Sequence, residues 1–274
     1  MKRSATIILN RNLPEITDSL CKHIKKHDGD LTDIYVLESG SDYDNLSKNT
    51  SWHANHEEAM QQGLRYQRGM NYALFQLFKE EKLDSYDYFL LLTNDTVLEN
   101  KPSLEVLFKI MDSNKKIGIL SPCSKNWGEK LLLEEKKTKY FWFIHNNSYV
   151  IRKEFLQTVM NDKDDNWESF FYDGSNFRGY LSESEVIAKA YINNWAAAIT
   201  SEVWVEENES YLLNKSSLIK TESYDDNIKL YIEEGLEWIK QKYGFTNKWQ
   251  MNLYVKLMYE NYFSFHPDES KFKL

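Results

Sequence analysis

The sequence predicts an α/β protein, a mostly parallel sheet with helices on both faces, and three observations point there. Short apolar or β-branched runs recur without polar alternation, as strands buried on both faces require. Apolar residues spaced three and four apart follow several of these runs, which is the stripe of an amphipathic helix. Strand and helix patterns alternate along the chain, and right-handed crossovers then set successive strands parallel in one sheet.

The first strand is the run Ala5 to Leu9, Ala-Thr-Ile-Ile-Leu. Leu13, Ile16, Leu20 and Ile24 then mark a helix whose first turn suits Pro14, since the N–H that proline lacks has no intrahelical partner there. Ile34 to Leu37 is a second buried strand. Met70, Ala73, Leu74, Leu77 and Phe78 line a helix ending near Lys82, and Tyr88 to Leu92 is the third strand. Leu104, Leu107, Phe108 and Met111 form the next helical stripe, and Ile117 to Leu120, closed by Pro122, the fourth strand. Beyond Pro122 the alternation fades. An aromatic run from Tyr140 to Ile144 serves as core or as a platform for a sugar, and leads through His145-Asn146-Asn147 to a strand at Tyr149 to Ile151. Asp162 to Asp165 is a polar connection, Ser182 to Ala190 a helix, Ala196 to Val205 a strand, and the stretch from about Asp226 to Phe263 two C-terminal helices. There is no internal repeat and no linker.

Composition narrows the classes of function. The 274 residues suit one large domain or two small ones, and 42% hydrophobic residues with only 10 Gly and 4 Pro describe a folded globular chain. A net charge of -8 repels a polyanion, so nucleic acid is not expected as a partner, whereas a local arginine and a metal can still hold one small phosphorylated ligand. Two cysteines, Cys21 and Cys123, form neither a disulfide framework nor a four-cysteine zinc site, which makes a reducing cytoplasm the simplest compartment. The first twenty residues meet Asn10, Arg11, Pro14 and Glu15 before any apolar stretch long enough for a signal peptide, and no segment approaches a membrane span.

In an open α/β sheet, ligands bind beyond the carboxyl ends of the strands. The loops there carry Asn10-Arg11, Glu38-Ser39-Gly40-Ser41 and Thr93-Asn94-Asp95, three polar clusters that one sheet edge would bring together. The last is the sharpest signal, an apolar strand delivering an acid immediately beyond its end.

These residues resemble the family 2 glycosyltransferases, nucleotide-sugar enzymes of the GT-A fold, and within them the rhamnosyltransferase-like branch. The resemblance runs over roughly residues 4 to 210 as an order of elements. It implies that Asn10 and Arg11 border a nucleotide pocket and that Glu38, with Ser39, meets the base, in place of the usual Asp. Arg68-Gly69-Met70-Asn71 is similar to the signature opening the next helix, which makes Arg68 the diphosphate ligand, with Arg65 in reserve, and Asn71 either a nucleotide contact or a brace. Asn94-Asp95 stands for the Asp-x-Asp site: Asp95 would bind Mn2+ or Mg2+ and Asn94 would lie near the ribose, while Thr93 replaces the first Asp. Ser182-Glu183-Ser184-Glu185 matches the Glu-Asp-x-Asp motif, giving Glu183 as catalytic base and Glu185 as second acid. Glu206 stands where members often carry a histidine; it is either an oxygen ligand to the metal or a solvated strand end.

The resemblance thus implies an inverting transferase that moves a sugar from a nucleotide-diphosphate donor to a glycan or lipid-linked glycan acceptor in surface polysaccharide synthesis. Its catalytic domain would span residues 1–215, with a helical extension at 216–274. That extension either packs on the domain, pairs two subunits into a homodimer, or rests on the inner face of a membrane. Two other readings compete: a sugar-phosphate nucleotidyltransferase, disfavoured because Asn10-Arg11-Asn12-Leu13 has no glycine, and a non-catalytic nucleotide-sugar or glycan binding module.

Overall fold

The computed structural model describes residues 3–126, 128–131, 136–144, 148–163, 165–219 and 222–274. His145-Asn146-Asn147 and Asp164 lie outside the described residues. In chain order the elements are β1 (Ser4–Asn10), α1 (Pro14–Asp28), β2 (Thr32–Ser39), β3 (Thr50–Ala54), α2 (Glu57–Gln62), α3 (Arg65–Lys79), β4 (Tyr88–Thr93), β5 (Thr96–Leu98), α4 (Leu104–Ser113), β6 (Ile117–Ser124), β7 (Thr138–Tyr140), β8 (Ser148–Arg152), α5 (Lys153–Val159), α6 (Ser182–Ile192), β9 (Ala196–Glu207), α7 (Glu209–Asn214), α8 (Ser216–Ile219), α9 (Tyr224–Tyr243) and α10 (Lys248–Phe265).

The strands form one mixed sheet in the order β3-β2-β1-β4-β8-β6-β9-β5, with β7 on β9. β3, β2, β1 and β4 run parallel, and their register decides what the site contains. Asn10 pairs with Glu38 and Leu9 with Thr93, so the ends of β1, β2 and β4 are level and their loops open onto one edge. Residues 88 to 92 are buried without alternation, because helices cover both faces of the central strands. β8 runs antiparallel between β4 and β6, which leaves β6 pointing the same way as β4. β9 pairs in parallel with β6, then extends to pair with β5, and the Asn208 amide reaches the Asp95 carbonyl at 2.9 Å.

The C-terminal helices are joined to the rest through aromatic and polar contacts. Tyr259 and Tyr262 of α10 stand with ring centroids 5.5 Å from that of Tyr191 on α6. On α9, Trp238 Nε1 donates to Asp173 at 3.1 Å, and Tyr243 donates to Glu185 at 2.5 Å. Gly235 lets α9 approach, since a Cβ there would sit 2.5 Å from the Cβ of Tyr180. Among the described residues, no helix is long and apolar enough to cross a membrane.

Candidate functional site

A cavity of about 220 Å3 opens at the level ends of β1, β2 and β4. Asn10, Arg11, Ser39, Arg65, Asn94 and Asp95 line it, together with Gln62, Gly63 and, from the C-terminal part, Leu212 and Ile219. A hydrogen-bond relay holds its floor. Asn94 Nδ2 donates to Asn10 Oδ1 at 2.9 Å, and Asn10 Nδ2 donates to Glu38 at 2.9 Å. Thr17 Oγ1 also donates to Asn10 Oδ1, so the loops after β1 and β4 are locked by one amide.

Arg11 threads the loops together. Its guanidinium donates to the carbonyls of Ser39, Gly40, Ala59, Met60 and Ile219 at 2.7 to 3.2 Å. Gly40, at φ +67°, is required here, because a Cβ would lie 1.7 Å from the Ala59 carbonyl oxygen. Burial, reinforced by the positive charge of Arg65, pushes the Arg11 guanidinium below its ordinary value. Arg65 is likewise lowered by burial, against the pull of Glu222. Its Nη atoms donate to Asn227 at 3.2 Å and Glu222 at 3.0 Å, while its Nε–H is buried with no hydrogen-bond partner among the described residues. Two mutually repelling guanidiniums beside one cavity create a place where an anion relieves strain in the charge distribution. Asp95, 3% exposed, supplies the carboxylate that lines it.

Several residues singled out in the sequence stand elsewhere. Glu38 is fully buried, and its two oxygens accept from Asn10, Ser41, the Ser47 amide and Thr50; every acceptor position is used to hold the loop, so it does not reach a base. Arg68 turns away from the cavity, donating to the Gly174 carbonyl at 2.9 Å and pairing with Glu58 at 2.8 Å. Arg65 lines the cavity in its place, since its positive φ of 57° takes it out of the helical register that Arg68 obeys. Asn71 is a brace: its amide donates to the carbonyls of Glu168 and Tyr172 and accepts from the amides of Phe171 and Tyr172. Glu206 is absent from the cavity lining and pairs with Lys125 at 2.8 Å at the exposed end of β9.

The carboxylates of α6 are split. Glu185 accepts from Tyr243 at 2.5 Å and pairs with Lys242 at 2.6 Å and Lys189 at 3.2 Å, which ties α6 to α9. Glu183 is ringed by protein, although its side chain keeps partial exposure, and it borders a small void with Ile119, Tyr149, Ile151 and Tyr172. Tyr66, Tyr172, Tyr180 and Tyr231 all lie within its electrostatic field. Burial pushes its carboxyl up to about 7.

Among the described residues, no three His, Cys, Asp or Glu side chains cluster as a metal cage. Among the described residues, Asp95 is the one carboxylate lining the cavity, an oxygen donor of the kind that a hard dication takes.

No protein-family model matches the sequence, and no curated protein does. Solved structures do match the fold. The mannosyltransferase PcManGT from Pyrobaculum calidifontis, in complex with GDP-Man and Mn2+, aligns with a TM-score of 0.53 at 11% identity, over 93% of this chain and 73% of that one. GalNAc-T7 with UDP, GalNAc and Mn2+ aligns at 0.53 and 9% identity, over 93% of this chain and 55% of that one. TarS from S. aureus gives 0.51 at 12% identity, over 90% of this chain and 44% of that one. The chain therefore has the Rossmann-like GT-A fold, an α/β sheet flanked by helices. Its cavity lies where that architecture places ligands, beyond the carboxyl ends of parallel strands.

Proposed function

We propose that the chain is an inverting glycosyltransferase, binding a nucleoside-diphosphate sugar in the cavity and passing the sugar to a hydroxyl of a glycan or lipid-linked glycan acceptor. One observation carries this reading: a single carboxylate, Asp95, and two guanidiniums, Arg11 and Arg65, converge on one cavity at the strand ends of a GT-A fold. The solved mannosyltransferase and GalNAc-T7 complexes, with their nucleotides and Mn2+, support it by likeness. Surface polysaccharide synthesis in the cytoplasm is the setting that suits such an acceptor.

In the proposed reaction the positive charges of Arg11 and Arg65, both of which line the cavity, lie beside the diphosphate, where negative charge grows as the glycosidic bond breaks. Asn10 and Asn94 keep the loops in place. We assign Glu183 as the base that takes the acceptor's hydroxyl proton; burial pushes its carboxyl up to about 7, and it borders a small void separate from the lining of the cavity. The acceptor oxygen bonds to the anomeric carbon, the bond to the diphosphate oxygen breaks, and the nucleoside diphosphate leaves. Mn2+ or Mg2+ arriving with the donor would take Asp95 as its protein ligand and offset the charge of the departing diphosphate.

The test is a melting-point screen of UDP-, dTDP-, GDP- and CMP-sugars with and without Mn2+, followed by assay of donor hydrolysis. One donor should raise the melting point and be hydrolysed slowly, and Asp95→Asn should remove the Mn2+-dependent part. If no donor stabilises the protein, the reading falls. Binding without release would make the chain a nucleotide-sugar binding module, a reading favoured by the same lone carboxylate.

A further inference from the structure

The edge of the sheet opposite the cavity carries a second concave site. β6 and β9 both begin there, with Ile117 opposite Ala196, because β6 runs in the direction of β4. A cleft of about 580 Å3 lies between the loop before β6, the turn joining α6 to β9, and the C-terminal turn. Lys115, Lys116, Lys271, Asn194, Trp195 and Phe272 are among its walls. A neighbouring cleft of about 530 Å3 shares Ser113, Asn114 and Phe272 with it, which extends the groove. Both volumes fall in the range of small-molecule sites.

Its charge runs against that of the protein. In a chain of net charge -8, three lysines line this cleft against, among the described residues, one carboxylate, Glu269, and that carboxylate already accepts from the Tyr140 hydroxyl at 2.5 Å. Lys116 and Lys271 enter no ion pair among the described residues, and Lys115 is 3.4 Å from Asp112. Glu202 and Lys109, which pairs with Glu105, add one charge of each sign to the neighbouring cleft. Asn194 has a left-handed backbone, φ +62°, and its Oδ1 is 3.1 Å from His266 Nε2, which holds the turn in place. Half-buried Trp195 is anchored against Phe155, with ring centroids 6.4 Å apart.

Aromatic walls, side-chain amides and two ammonium groups outside any ion pair among the described residues match three features of one ligand class. A sugar ring stacks its C–H face on an aromatic side chain, its hydroxyls pair with amides, and a carboxylate or phosphate pairs with lysine. We propose that this basal cleft binds an anionic oligosaccharide, one whose sugar units bear carboxylate or phosphate groups. The site is independent of the transferase reading, because it shares no residue with the cavity at the strand ends.

Titration calorimetry of the full chain tests it with four probes: tetragalacturonate, a phosphorylated mannose oligosaccharide, neutral maltotetraose and inorganic tripolyphosphate. At least one of the two anionic sugars should bind, and the Lys116→Glu/Lys271→Glu double variant should weaken it at least tenfold. Lys116→Gln/Lys271→Gln serves as the milder variant, with circular-dichroism melting to show that each is folded. The proposal is overturned if neither anionic sugar binds at millimolar concentration, if maltotetraose or tripolyphosphate binds as tightly, or if the folded variants keep full affinity. A nucleoside diphosphate titrated into the same variants reports on the other cavity, so failure at one site is read separately from failure at the other.

Discussion

Glu183 and Glu185 stand two residues apart in the first turn of α6 and meet opposite company. Glu185, 1% exposed, has two lysines and a tyrosine hydroxyl; Glu183 has tyrosines and hydrocarbon, and burial pushes its carboxyl up to about 7. The lesson is that neighbours, more than depth, decide what a carboxylate does. A carboxylate ion-paired to lysine clamps two helices, whereas one ringed by tyrosines and hydrocarbon has its carboxyl pushed up by burial, which suits the base we propose.

The largest effect should come from Glu183→Gln, which removes the proton acceptor and should lower kcat by about a thousandfold while donor binding holds. Steady-state kinetics beside a donor titration checks it; unaltered turnover would end the assignment of Glu183 as base. Glu185→Gln breaks a buried ion pair and should cost about 3 kcal/mol in a urea melt. An unchanged urea midpoint with lost turnover would instead move Glu185 from clamp to chemistry.

A smaller effect follows from linkage. Glu183 is raised in the folded state, so that state binds more protons than the unfolded chain between about 4.5 and about 7. Its contribution is fully favourable below that window and is lost as pH rises through it, on the order of 2 kcal/mol once partial solvent contact is allowed for. Melts across this range should show that decline in the native protein and a flatter profile in Glu183→Gln. Last, Arg65→Lys should weaken binding of a nucleoside diphosphate about tenfold through loss of the planar donor fork, whereas Arg68→Lys should change it less than twofold. The reverse ranking would return the diphosphate to Arg68.

The parallel half of the sheet was legible because residues 5–9, 34–37 and 88–92 are apolar without alternation, and only strands covered on both faces are built so. Asn10, Arg11, Ser39, Asn94 and Asp95 were legible with them, since level strand ends gather whatever follows each run. β3, Thr-Ser-Trp-His-Ala, was not, because a half-exposed outer strand carries no such pattern, and three-residue β5 is too short to show any. Arg65 was ranked behind Arg68 because a left-handed residue at a helix start leaves no mark in composition. Leu212 and Ile219 reach the cavity through contacts some 200 residues from Arg11, beyond any local periodicity. The filled acceptors of Glu38 depend on the fold of its own loop, at Ser41, Ser47 and Thr50.

The Arg11 side chain bears on how the protein is made. A nascent chain that has emerged as far as β9 holds every strand of the sheet, yet two partners at the cavity mouth, the carbonyls of Leu218 for Asn12 and Ile219 for Arg11, have still to arrive. A fragment ending at residue 215 would lack both of these rim partners, and with them the α9 and α10 side chains that close on Glu185 and Tyr191.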